Sequence, residues 1–156
     1  MLLCGDSRPR LSIRAKLDGS WSLIAMNHEE ELIRSFIMPT KRQRYLDFVS
    51  KPKTRQKFLC ELAHFKSLDP RYLLAIPPSK QHPKDIAQIL TDKGAPTLCW
   101  VTSEDRRLDG KEMSLLEALG DVVGRQMGTF LSCIPGRLAY FEGEDMGFRW
   151  ILERLN

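Results

Sequence analysis

Apolar and polar positions change period along this chain, and each change marks an expected element. Between residues 11 and 17, Leu11, Ile13, Ala15 and Leu17 alternate with Ser12, Arg14 and Lys16, the period of a half-buried strand. Asp18-Gly19 then precedes Trp21, Leu23 and Ala25, so a β-hairpin is the first expectation. Its register is awkward. A two-residue turn sets Leu17 against Ser20 and Lys16 against Trp21, mixing the two faces. Met26-Asn27-His28-Glu29-Glu30 reads as a fresh start. Residues 1–25 are therefore expected to be a loosely attached extension, and residues 26–156 a single domain.

From Asn27 the period becomes helical. Asn27 stands as a cap with Glu30 at the capping-box position, Leu32, Ile33, Phe36 and Ile37 form an apolar stripe, and Pro39 ends it. Thr40 with Gln43 repeats the box before a short helix with Tyr45, Phe48 and Val49 on one face. Pro52 opens a third helix to about Phe65, with Phe58, Leu62 and Phe65 inward.

Behind this helical group the pattern mixes strands and helices. Tyr72 to Ile76 is a short strand candidate, followed by a rigid Pro77-Pro78 connector. A helix from Pro83 carries Ile86, Ile89 and Leu90 and closes at Gly94 and Pro96. Thr97 to Thr102 is an apolar run of strand length, expected to be buried on both faces. Ser114 and Glu117 form a third capping box ahead of a helix that buries Leu115, Leu119 and Val122. Phe130–Ile134 and Leu138–Phe141 flank Pro135-Gly136 as a hairpin, and Asp145 caps a last helix bearing Phe148, Ile151, Leu152 and Leu155. The fold class this predicts is α+β: a small mixed sheet of three or four strands flanked by helices, with the N-terminal helical group packed on the same core.

Composition narrows the picture. The chain has 156 residues, 42% hydrophobic and 28% charged, which suits one globular domain and excludes a collagen-like or wholly disordered chain. No apolar run approaches the roughly 20 residues a membrane-spanning helix needs. Cys4, Cys60, Cys99 and Cys133 contain no Cys-x-x-Cys pair, and Met1-Leu2-Leu3-Cys4 passes at once into Gly5, Asp6 and Arg8 rather than into a signal sequence. A reducing, cytoplasmic setting is the expectation.

Charge is uneven. The net charge is +4 overall, yet residues 40–66 carry eight Lys or Arg against two Asp or Glu. Lys41, Arg42, Arg44, Lys53, Arg55 and Lys57, with Lys51 between, are candidate contacts for nucleic acid or an acidic protein. Tyr45 and Phe48 are interleaved but expected to be core.

Carboxylates gather elsewhere. Glu104 follows one expected strand, Asp109 sits in the loop beyond it, and Glu142 and Glu144 follow the last strand. Such groups, if they converge, suit an acid–base pair or a magnesium ion. An EF-hand is excluded, because a loop opening at Asp105 places Leu116 at its twelfth position. Cys60 and His64 are spaced for one helix face but lack further ligands of paired spacing, and Cys133 to Arg137 is too short to wrap a phosphate. No phosphate-binding loop, dinucleotide fingerprint or nucleophile elbow is present. The leading expectation is a binding or regulatory module working through its basic helical face. The alternative is a metal-assisted phosphoester hydrolase using Glu104, Asp109, Glu142 and Glu144, with no metal ligand set assigned.

Overall fold

Proline, rather than a capping box, starts three of the four short α-helices among the described residues. The computed structural model describes residues 20–155, with side chains from His28 onward. Helix α1 (Ser20–Phe36) buries Leu32, Ile33 and Phe36, while Arg34 faces solvent against Glu30 at 3.3 Å. It begins at Ser20, so Asn27 lies within it and caps nothing, and Trp21 to Ala25 are helical rather than the second strand of a hairpin. The first strand of that expected hairpin lies outside the described residues.

Helices α2 (Pro39–Val49) and α3 (Pro52–Glu61) each carry Pro in the first turn, where its missing N–H is no loss, and neither has a side-chain cap. Gln43 bonds Asp47 at 2.9 Å instead of completing a box with Thr40. Helix α3 stops at Glu61 and tightens into one 3-10 turn over Leu62–His64, short of the expected Phe65.

The sheet corrects the expectation of three or four mixed strands. It has six: β1 (Leu73–Ala75), β2 (Leu98–Ser103), β3 (Lys111–Ser114), β4 (Thr129–Ile134), β5 (Leu138–Glu142) and β6 (Arg149–Glu153). They run in the order β1-β6-β5-β4-β2-β3, and every pairing is antiparallel. Helices α4 (Pro83–Asp92) and α5 (Leu115–Val122) complete the elements.

Alternation along the strands divides the core in two. Phe130, Ala139, Phe141 and Leu152 pack with Ile33, Phe36, Phe58 and Leu62 from α1 to α3 and the turn that follows. Val101, Leu131, Tyr140 and Ile151 pack with Ile86 and Leu90 of α4 and Leu115 and Leu119 of α5. The sheet is thus the middle of three layers. Strand β2 is buried from Cys99 to Ser103, as a run covered on both faces should be.

Two strands were hidden in the pattern. Residues 149–153 fit a helix by their i, i+3, i+4 apolar spacing, but a short run fits a buried strand equally well. Pairing decides, because Tyr140 and Phe141 face Ile151 and Trp150 across the ladder, and Gly143 N–H closes the turn on Phe148 O at 2.9 Å. Asp145 accordingly accepts the Phe148 N–H in that turn and caps no helix. Strand β3 reads as loop because it lies at a sheet edge and is largely polar, as edges are. Its last residue, Ser114, makes no capping bond to α5.

Two glycines are required by close approach. Gly136, at φ 70°, turns β4 into β5, and a Cβ there would lie 2.8 Å from Ser35 Oγ. A Cβ on Gly128 would lie 2.2 Å from the Leu62 carbonyl carbon, backbone that cannot swing aside. Gly128→Ala is expected to destabilise by about 3 kcal/mol, because the turn after α3 must move off the sheet. Urea denaturation checks it, and a change below about 0.5 kcal/mol would show the approach to be looser than described.

Candidate functional site

Helices α2 and α3 fold back on one another across Ser50-Lys51, and buried aromatics set their spacing. Tyr45 packs edge-on to Phe58 at 5.5 Å, and its hydroxyl donates to Glu61 Oε2 at 2.6 Å and lies 3.1 Å from Ser67 Oγ. Burial, then the hydrogen bond to Glu61, raises the phenol above its ordinary value. Thr54 Oγ1 donates to the Phe48 carbonyl at 2.8 Å and ties the start of α3 to the end of α2.

Outside this anchor the basic residues divide into two kinds. Lys41, Lys51, Lys53 and Lys57 are exposed and have no ion-pair partner among the described residues. Arg44 is exposed but bonded to Glu61 at 2.6 Å, with its guanidinium 5.3 Å from the Phe48 ring centre. Lys57 Nζ approaches the same ring at 5.8 Å. Arg42 turns inward, donating from Nε to Ile37 O at 2.9 Å.

Arg55 is set apart completely. Its guanidinium forks onto Glu29 of α1 from Nε and Nη2, and onto Asp109 of the β2–β3 loop from Nη1 at 2.7 Å and Nη2 at 2.8 Å. Both carboxylates are 7% exposed. Thr102 Oγ1 also donates to Glu29 at 3.2 Å, and Ser103 N–H donates to Asp109 at 3.0 Å. Burial opposes the Arg55 charge, but Glu29 and then Asp109 more than restore it and hold it protonated. Burial pushes the Asp109 carboxyl up, against the pull of Arg55. Two residues expected at different sites therefore meet one another in a clasp between helices and sheet.

Beside the clasp, the His28 ring stacks on Trp100 at 6.2 Å and its Nδ1 lies 2.8 Å from Ser132 Oγ. Burial holds this imidazole below its ordinary value and so favours the uncharged ring, against the pull of Glu29. Sequence reasoning passed over both His28 and Glu29. Glu29 was legible in principle: it lies three, four and seven residues before Leu32, Ile33 and Phe36, on the buried stripe of α1.

The four acidic residues do not converge. Asp109 points to the α1–α3 side, whereas Glu142, 1% exposed, lies on the α4–α5 side of the sheet. There Glu142 accepts from Gly124 N–H (3.0 Å), Gln126 N–H (2.9 Å) and Tyr140 OH (2.9 Å), and forms an ion pair with Arg149, whose Nε lies 3.2 Å away. Glu104 is half-buried, and burial raises its carboxyl, with nearby Glu144 adding to the effect. Glu144 itself is exposed and lies 3.1 Å from His64 Nε2. Among the described residues, no group of three or more His, Cys, Asp or Glu side chains is arranged to hold a metal ion.

Concave surface is modest. One depression of about 360 Å³ lies between α4 and α5, lined by Lys84, Gln88, Thr91 and Leu115, and another of about 260 Å³ is lined by Tyr45, Glu61, His64 and Ser67. Cys99 and Cys133 are buried free thiols, and burial pushes Cys99 up to about 12 and Cys133 higher still, so neither is a ready nucleophile. No helix among the described residues is long and apolar enough to cross a membrane. No family model matches the chain, and no curated protein or solved structure matches it significantly.

Proposed function

We propose that the protein is a binding module that docks a polyanion, a nucleic acid or an acidic protein segment, on the α2–α3 face. The observation that carries this reading is the distribution of unanswered charge. Elsewhere several cations are matched: Arg71 with Asp69 at 2.7 Å, Lys93 with Glu153 at 2.9 Å, Arg107 with Asp105 at 3.0 Å and Arg149 with Glu142 at 3.2 Å; those without an ion pair among the described residues, such as Lys80, Lys84, Arg125 and Arg137, are spread over other elements. Lys41, Lys51, Lys53 and Lys57 share one small helical unit and have no such partner among the described residues. That unit is a firm platform. Arg55 clamps α3 to α1 and the β2–β3 loop, and Phe58 stacks on Phe130 of the central sheet at 6.3 Å. A platform held this way presents its charges without reordering on binding.

Charge reversal tests the reading directly. The native protein is expected to be retained on immobilised heparin, and K53E/K57E to elute at much lower salt. Both positions are exposed, so the unfolding free energy should stay within about 0.5 kcal/mol of the parent. A native chain that passes through heparin unretained overturns the proposal.

A further inference from the structure

The chemistry of the unanswered cations narrows the partner. Resting on the reading just given, we infer that the α2–α3 face binds the phosphodiester backbone of nucleic acid, without regard to base sequence, through Lys41, Lys51, Lys53 and Lys57. The first argument is which cations remain. A guanidinium grips a carboxylate or a phosphate through two parallel hydrogen bonds, so arginine is the residue suited to recognising an individually placed anion. Every arginine of this unit is paired or turned inward: Arg44 onto Glu61, Arg55 onto Glu29 and Asp109, and Arg42 onto the Ile37 carbonyl with its Nη2 buried. What is left is ammonium groups on flexible stems. These are point charges with no preferred approach, matched to a dense line of phosphates rather than to individually placed carboxylates.

The second argument is the state of the aromatic rings. Proteins that hold single strands through their bases offer uncovered ring faces for stacking. Tyr45 is buried, and Phe48 is half-buried with Arg44 and Lys57 both drawn over its ring. Those rings position cations and leave no platform for a base. Backbone contact without base contact gives affinity and no sequence information.

The inference has a numerical consequence. Each phosphate neutralised on a duplex contributes about −0.9 to the slope of log affinity against log salt, so four lysines give about −3.6. Between roughly 50 and 200 mM salt, duplex affinity should fall about 150-fold. On a single strand, at about −0.7 per phosphate, the fall should be about 50-fold.

The experiment is fluorescence anisotropy of the full chain with two labelled duplexes of unrelated sequence, their single strands, and a polyglutamate peptide. The two duplexes are expected to bind within about threefold of each other, polyglutamate more weakly, and K53A/K57A should roughly halve the duplex slope. Polyglutamate binding as tight as duplex, a tenfold preference for one sequence, or an unchanged slope in K53A/K57A overturns the inference and leaves polyanion binding standing. Failure to bind any of these probes overturns both.

Discussion

Arg55→Met is expected to destabilise the fold by about 3–5 kcal/mol at pH 7, far more than any lysine substitution on the same helix. The variant retains a side chain of similar apolar volume, so packing is not the main loss. What it removes is the one cation among the described residues that answers Glu29 and Asp109, each 7% exposed. Two like charges then remain close together in a site screened from water. Arg55→Lys restores a charge but not the fork that reaches both carboxylates, and should recover only part of the loss. Neutralising the partners separates the causes: R55M/E29Q/D109N should recover most of the stability, because an uncompensated charge, not a lost contact, is the main penalty.

The pH dependence of that variant has a definite sign. In the native protein Asp109 already sits above its ordinary 3.8 because of burial. A carboxyl raised in the folded state favours folding below its unfolded value, and that favour is lost as pH rises through the folded value. Without Arg55 the folded value rises further, so the Arg55→Met penalty is largest near neutrality. It should shrink as pH falls through the raised value toward about 4. Urea denaturation at pH 7 and at pH 4.5 measures this. A penalty that stays constant or grows in acid would show that the clasp is not an electrostatic one.

Why Arg55 reads as a surface residue in the sequence is instructive. It stands between Lys53 and Lys57, and by charge alone the three are equivalent. Helical geometry distinguishes them. Arg55 precedes Phe58, Leu59 and Leu62 by three, four and seven residues, on the stripe that packs against the sheet, whereas Lys53 and Lys57 fall off it. Asp109 has no comparable signal, since it lies in a loop whose path is set by the Ser103 N–H it accepts and by a helix some fifty residues earlier in the chain. Local pattern therefore showed α2, α3, α4, β2 and the β4–β5 hairpin, each marked by proline, glycine or an unbroken apolar run. It missed β3 and β6, which are strands only because a neighbour pairs with them. The layer order was out of its reach for a related reason, as the β1–β6 and β2–β4 ladders join strands far apart in the sequence.

Glu142→Ala is expected to cost about 3–5 kcal/mol, although no neighbouring helix packs through it. The alternation of β5 was a sufficient warning: Leu138, Tyr140 and Glu142 share one face, and the first two are fully buried. A carboxylate placed there requires partners, and the structure supplies three hydrogen-bond donors and one cation. Removing it leaves the Arg149 guanidinium without its anion and strands the Gly124 and Gln126 N–H groups together with the Tyr140 hydroxyl. Gln126 has a further stake. Its φ of 57° is the left-handed conformation a non-glycine residue adopts only when held, and the Glu142 carboxylate is what holds its amide. The loss should therefore appear locally before it appears globally. Amide hydrogen exchange at residues 124 and 126 should accelerate more than exchange in β4, because β4 also keeps its ladders to β2 and β5. Glu142→Gln is the sharper control. Its carbonyl oxygen still accepts one backbone N–H, but its NH2 group faces donors, so it should lose about 2–3 kcal/mol rather than be tolerated as an isostere. A Gln variant as stable as the parent would mean that shape, not charge and acceptor capacity, is what residue 142 contributes.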